Sequence, residues 1–155
     1  MSRPRILLTR RWPAPVEAAL AAEFDATFNP ADQALDSAAL RQALRDFDAV
    51  LPTVSDRIDA AVFDLDAPRV RILANYGVGY SHIDLAAARA RGIAVTNTPG
   101  VLTDATADLT MTLLLMAARR AGEGERELRA GRWAGWRHTH LVGTQVSGKT
   151  LGIVG

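Results

Sequence analysis

Short apolar runs alternate with stretches of helical spacing from residue 5 to residue 97, and this alternation most narrows what the chain can fold into. The runs are RILLT (5–9), DATFN (25–29), DAVLPT (48–53), RILANYG (71–77) and IAVTN (93–97). Between them, Val16, Ala19, Leu20 and Phe24 recur at helical spacing after Pro13 and Pro15. Leu40, Ala43, Leu44 and Phe47 do so after Asp36 or Ser37, either of which can cap. Ile58, Val62 and Phe63 predict a further helix, capped by Ser55 or Asp56. DLAAARARG (84–92) predicts a short one closed by Gly92. Strands separated by helices need crossover connections, so they form a parallel sheet covered on both faces. Such sheets place ligands at the carboxyl ends of their strands. That directs attention to the loops at 52–55, 75–80 and 98–103.

Charge excludes several partners. The formal net charge is +1, and no Lys/Arg run suggests nucleic acid or an anionic membrane. With no cysteine, disulfide and thiol chemistry are ruled out, in keeping with a cytoplasmic protein. A phosphoacceptor receiver domain shares the five-strand layout but needs acids after the first strand, where Thr9, Arg10 and Arg11 stand.

The pattern changes after Gly100. LTMTLLLMAA (109–118) is too short for a membrane span, which needs about 20 apolar residues, and reads as the buried part of a long helix. Thr103 can cap this helix, Asp104 and Asp108 answer its positive end, and Arg119 and Arg120 suit its negative end. A polar stretch and a glycine-bearing loop follow. The ending KTLGIVG reads as a new buried strand with Leu151, Ile153 and Val154 facing a core. His138 and His140 lack the third ligand a metal site requires and read as a polar loop, so no metal is expected. Trp133 and Trp136 either pack within the chain or bury in a partner surface.

The loop NYGVGYSHIDL (75–85) carries the most chemical information. Gly77 and Gly79 bracket Val78 directly after a strand. They serve either a tight turn or the close approach of an anion to bare backbone N–H groups. Tyr76 reads as a packed aromatic at the strand end, and Thr53 and Val54 as either a helix-entry loop or part of a ligand site.

The stretch from Asn75 to Arg120 resembles the D-isomer-specific 2-hydroxyacid dehydrogenases, in particular their glyoxylate/hydroxypyruvate reductase branch. The resemblance rests on the Gly-Val-Gly loop, Ile83-Asp84, Arg91-Gly92-Ile93, residues 97–100, and Thr103-Asp104-Ala105-Thr106-Ala107-Asp108. GRWAGW and GTQVSGKTLGIVG extend it. It implies a flavodoxin-like parallel-sheet substrate domain over 1–100 and an interdomain helix over 101–121. The first strand of a truncated Rossmann domain would lie in 122–155. It also implies hydride transfer between NAD or NADP and a small 2-oxo acid, with a homodimer as the working form. On the same basis the amides of Val78 and Gly79, with Gly77, bind the substrate carboxylate, and Thr53 and Val54 line the space for its side chain. Val78, Thr103 and Gly155 face the cofactor, Gly155 as the first glycine of G-x-G-x-x-G. The family's catalytic Arg, Glu and His are expected beyond residue 155, so no catalytic residue is assigned and the chain alone is expected to be inactive. A non-catalytic, dinucleotide-sensing scaffold that binds proteins is the alternative function on the same fold.

Overall fold

The computed structural model describes residues 2–154. The chain divides into two compact units, Met1–Gly100 and Val101–Gly155.

In the first unit, β1 (Arg5–Leu8), β2 (Asp25–Thr27), β3 (Ala49–Leu51), β4 (Ile72–Ala74) and β5 (Ala94–Thr96) form a parallel five-stranded sheet in the order β2-β1-β3-β4-β5. This is the flavodoxin-like order. Register follows from the apolar alternation: Leu7 pairs with Val50, and Val50 with Leu73. These residues point to one face, where α2 (Ser37–Asp46) and α3 (Leu85–Ala90) close a core containing Leu40, Leu44, Phe63, Ile83 and Ala88. Ile6, Leu8 and Leu51 point to the other face, against Leu20 of α1 (Ala14–Glu23) and its flanking Trp12 and Phe24. Burial on both faces explains why the strands read as nearly continuous apolar runs.

The helix ends follow local chemistry. Asp36 accepts from the Ala39 amide at 2.8 Å, and Asp84 from the Ala87 amide at 2.9 Å. Each satisfies an amide that a helix start leaves without an intrahelical partner. Gly92 ends α3 with a φ of +69°, a conformation that glycine adopts without strain.

The expected helix through Ile58, Val62 and Phe63 does not form. Ile58 instead bridges Ile83: its amide donates to the His82 carbonyl and its carbonyl accepts from Asp84, both at 2.9 Å. A residue held in an extended ladder cannot also enter a helix. Residues 59–64 then make successive i to i+3 turns that bury Val62 and Phe63.

In the second unit, α4 (Thr103–Ala118) and α5 (Ala121–Arg129) are the regular elements, and their residues contact each other. Several expectations are corrected here. Leu102, not Thr103, is the N-cap of α4, its carbonyl accepting from the Thr106 amide at 2.9 Å; Thr103 is the first helical residue. No residue of α4 is buried, so its apolar run is not a core segment. Arg119 is the C-cap residue, whereas Arg120 turns left-handed at a φ of +54° and pairs with Glu123. The final strand is absent: residues 149–154 form neither strand nor helix, and Leu151, Ile153 and Val154 are exposed. A strand requires a neighbouring edge to bond, and the described residues of this unit offer none. Gly155 lies outside the described residues.

Leu73 sits on β4 with no exposed surface. Replacing it with alanine should cost about 2–5 kcal/mol and lower the urea midpoint followed by circular dichroism, whereas exposed Ala86 should accept serine with little change.

Candidate functional site

The carboxyl ends of β1, β3, β4 and β5 carry the polar groups of the first unit. At the end of β3, Asp56 is 1% exposed. Its Oδ2 accepts from Thr9 Oγ1 at 2.5 Å and from the Thr53 amide at 2.8 Å. This ties the loop after β3 to the end of β1. Thr53 bridges Tyr76, whose amide donates to the Pro52 carbonyl at 2.8 Å, so the loop after β3 also runs beside the loop after β4. Tyr76 is not fully packed: it is half exposed, with its ring 4.6 Å from that of Trp12.

Gly77 and Val54 come together in this arrangement. A Cβ placed on Gly77 would lie 3.0 Å from Val54 Cγ1, so a side chain there would require the exposed Val54 to shift by a few tenths of an ångström. The turn requirement considered from the sequence does not apply, since neither Gly77 nor Gly79 has a positive φ. Val54 and Val78 themselves are exposed.

The carbonyls of the glycine loop are all held. Gly77 O accepts from Asn75 Nδ2 at 3.2 Å and from the Thr98 amide at 3.1 Å. Val78 O accepts from Asn97 Nδ2 at 2.9 Å, and Gly79 O from Asn75 Nδ2 at 3.0 Å. Among the described residues, neither the Val78 nor the Gly79 amide donates to a protein acceptor. Two neighbouring peptide N–H groups with held carbonyls form a natural receptor for an anionic oxygen.

Asn75, Asn97 and Thr9 were not singled out from the sequence as site residues, and Asp56 was read only as a candidate cap for a helix that does not form. For Thr9, Asn75 and Asn97 the available signal was a polar residue directly following an apolar strand; Asp56, five residues beyond β3, carried none of that kind. Asn75 is 2% exposed. His82 Nε2 lies 3.0 Å from its Oδ1. Since Asn75 Nδ2 faces two carbonyls, Oδ1 is the acceptor and His82 must donate, which assigns the proton to Nε2. Burial pushes the His82 pKa below its ordinary value, with Asp56 opposing the shift.

The other sequence candidates lie apart from this loop in the chain. Thr103 belongs to the second unit. There His140 Nε2 lies 3.0 Å from Glu127 Oε2, and the His138 ring meets exposed Trp136 edge-on at 4.3 Å. Among the described residues no three metal-ligating side chains cluster, and no helix is long and apolar enough to cross a membrane.

The lowered His82 pKa predicts a pH limb in stability. Above 6.5 the ring is neutral in the folded and unfolded chains alike, and its contribution is complete. As pH falls from 6.5 toward the lowered folded value, the unfolded chain holds a proton that the folded chain does not, and stability is lost until the folded ring protonates as well. Arg10 holds the Asp32 carboxyl, and Arg69 the Asp48 carboxyl, below 3.8, so their losses come at lower pH. His82→Gln should flatten the loss of thermal stability as pH falls below 6.5; an unchanged limb would assign it to other groups.

Residues 6–151 match the D-isomer specific 2-hydroxyacid dehydrogenase catalytic domain. The glyoxylate reductase of Thermococcus kodakarensis is 45% identical over 157 residues, covering 99% of this chain and 47% of that protein. A D-isomer specific 2-hydroxyacid dehydrogenase, NAD-binding, from Polaromonas superposes with a TM-score of 0.88 at 37% identity, over 94% of this chain and 46% of that one. The NADPH-dependent glyoxylate/hydroxypyruvate reductase of Sinorhizobium meliloti, solved with NADP and malonate, gives 0.67 at 36% identity, over 85% and 40%. The chain thus spans about half the length of the relatives it matches. With sequence and fold in agreement over nearly its whole length, the chain belongs to the D-isomer-specific 2-hydroxyacid dehydrogenase family.

Proposed function

We propose that this chain supplies the substrate-carboxylate site of an oxidoreductase that passes hydride between NAD or NADP and a small 2-oxo acid, with glyoxylate or hydroxypyruvate as the substrate class. One observation carries the reading: the carbonyls of Gly77, Val78 and Gly79 are held, while the Val78 and Gly79 amides have no acceptor among the described residues. A carboxylate there would receive charge-assisted hydrogen bonds without requiring a fixed cation. Arg10, which follows β1, is bonded to Asp32 and Ser55. Thr53 and Val54 would border the rest of a small substrate, Val54 lying beside Gly77. The names of the relatives, glyoxylate reductases and a glyoxylate/hydroxypyruvate reductase, support this substrate class.

The residues in hand do not form a dinucleotide cradle. Such a cradle needs a strand leading through a glycine turn into a helix, and residues 149–154 form no strand. No step is therefore assigned to the nicotinamide, and the roles of Val78, Thr103 and Gly155 toward it remain part of the proposal. Catalytic Arg, Glu and His are assigned to the part of the relatives that residues 1–155 do not match.

We also propose that α4 pairs with a second copy of the chain. The helix carries no charge from Leu109 to Ala118, and Leu109, Met111, Leu113, Leu115 and Met116 are all exposed. An apolar surface of this kind marks an association site.

Two experiments test these readings. Added to NADH or NADPH with glyoxylate, residues 1–155 should leave the nicotinamide absorbance unchanged; turnover would overturn the placement of the catalytic groups. In sedimentation velocity the chain should run as a dimer, and Met111→Glu with Leu115→Glu should shift it to monomer. A wild-type monomer at about 100 μM, weaker than typical specific interfaces, would refute the pairing.

A further inference from the structure

Asn75 and His82 form a device that the carboxylate reading does not by itself require. A trans peptide is planar, so its N–H points opposite to its C=O. Holding Gly77 O against Asn75 Nδ2 therefore turns the Val78 N–H away from Asn75. Holding Gly79 O on the same nitrogen fixes the far end of the loop. One buried amide thus sets the direction of the backbone around Val78.

The amide group itself can occupy two orientations of nearly identical shape. Reversed, Asn75 would direct its oxygen at two carbonyl oxygens, and the loop would lose both hydrogen bonds. His82 provides the opposing constraint. Its Nε2 faces Asn75 Oδ1 at 3.0 Å, and a donating ring accepts only the orientation observed. The ring cannot readily drift, because the His82 carbonyl accepts from the Ile58 amide and the adjacent Ile83 is buried.

We infer that His82 is a positioning residue for the carboxylate site: as a donor to Asn75 it locks the amide orientation that keeps the Val78 N–H directed outward. This inference rests on the proposal that the Val78 and Gly79 amides bind a carboxylate. His82 touches neither substrate nor cofactor in this scheme and acts through Asn75 alone. A glutamine can place a side-chain NH2 near the position of Nε2, whereas phenylalanine fills the ring's space without a donor.

The test is a nuclear magnetic resonance titration of the full 155-residue chain with oxalate. In the wild type, the Val78 and Gly79 amide cross-peaks should move. His82→Phe should weaken oxalate binding about tenfold, the loss expected for one buried hydrogen bond, and shift the Asn75 side-chain NH2 signals. His82→Gln should stay within about twofold of wild type. Ring ¹⁵N shifts of the wild-type protein should show a neutral His82 protonated at Nε2, a readout that needs no variant to fold. A proton on Nδ1 would overturn the inference, as would a folded His82→Phe that binds oxalate like wild type. Wild-type amides that ignore oxalate would remove the carboxylate reading and this inference with it, an outcome distinct from failure of the variant.

Discussion

The architecture of the first unit depends on holding backbone carbonyls at the end of a parallel sheet. Within a strand, neighbouring strands satisfy each peptide group; past the strand end that support stops. Here side-chain amides, the buried one of Asn75 and the partly exposed one of Asn97, and loop backbone amides replace it. Asn75 holds Gly77 and Gly79, Asn97 holds Val78, and the Thr98 amide adds a second bond to Gly77. The sheet continues as side-chain hydrogen bonds, and the N–H groups left over become available for recognition.

A similar arrangement operates one strand away. Asp56 ties Thr9 and the Thr53 amide, so the ends of β1 and β3 share one carboxylate. Thr53 in turn runs beside Tyr76, and Val54 contacts Gly77. Loops distant in sequence therefore behave as one surface, because buried polar residues at their bases are bonded across strands. The bonds all fall on Asp56 Oδ2, while Oδ1 is buried without a partner among the described residues.

Much of the layout was legible because burial on two faces leaves a strong sequence trace. The apolar runs at 5–9 and 71–77, the Asp36 cap, the short helix within 84–92 and the Gly92 stop all found their places, whereas the Asp84 cap emerged only from the structure. Ile58, Val62 and Phe63 misled because helical spacing and a compact series of turns bury the same residues; only the long-range bridge to Ile83 separates them. Leu151, Ile153 and Val154 have the composition of a strand, but strand structure depends on a partner edge rather than on composition. Thr103 misled by one residue, since a helix start is set by backbone angles that a good capping residue does not dictate. The glycine loop was visible, whereas Asn75 was not: a single buried amide has no period, and its importance lies in bonds to residues two and four places on.

The contact of Val54 with Gly77 links two loops through a single missing methyl group. A side chain at position 77 would start 3.0 Å from Val54 Cγ1, and the exposed Val54 would have to turn slightly to admit it. Laboratory evolution toward bulkier acids therefore gains from varying the two positions together, since a smaller residue at 54 leaves a larger one at 77 room without displacing its neighbour.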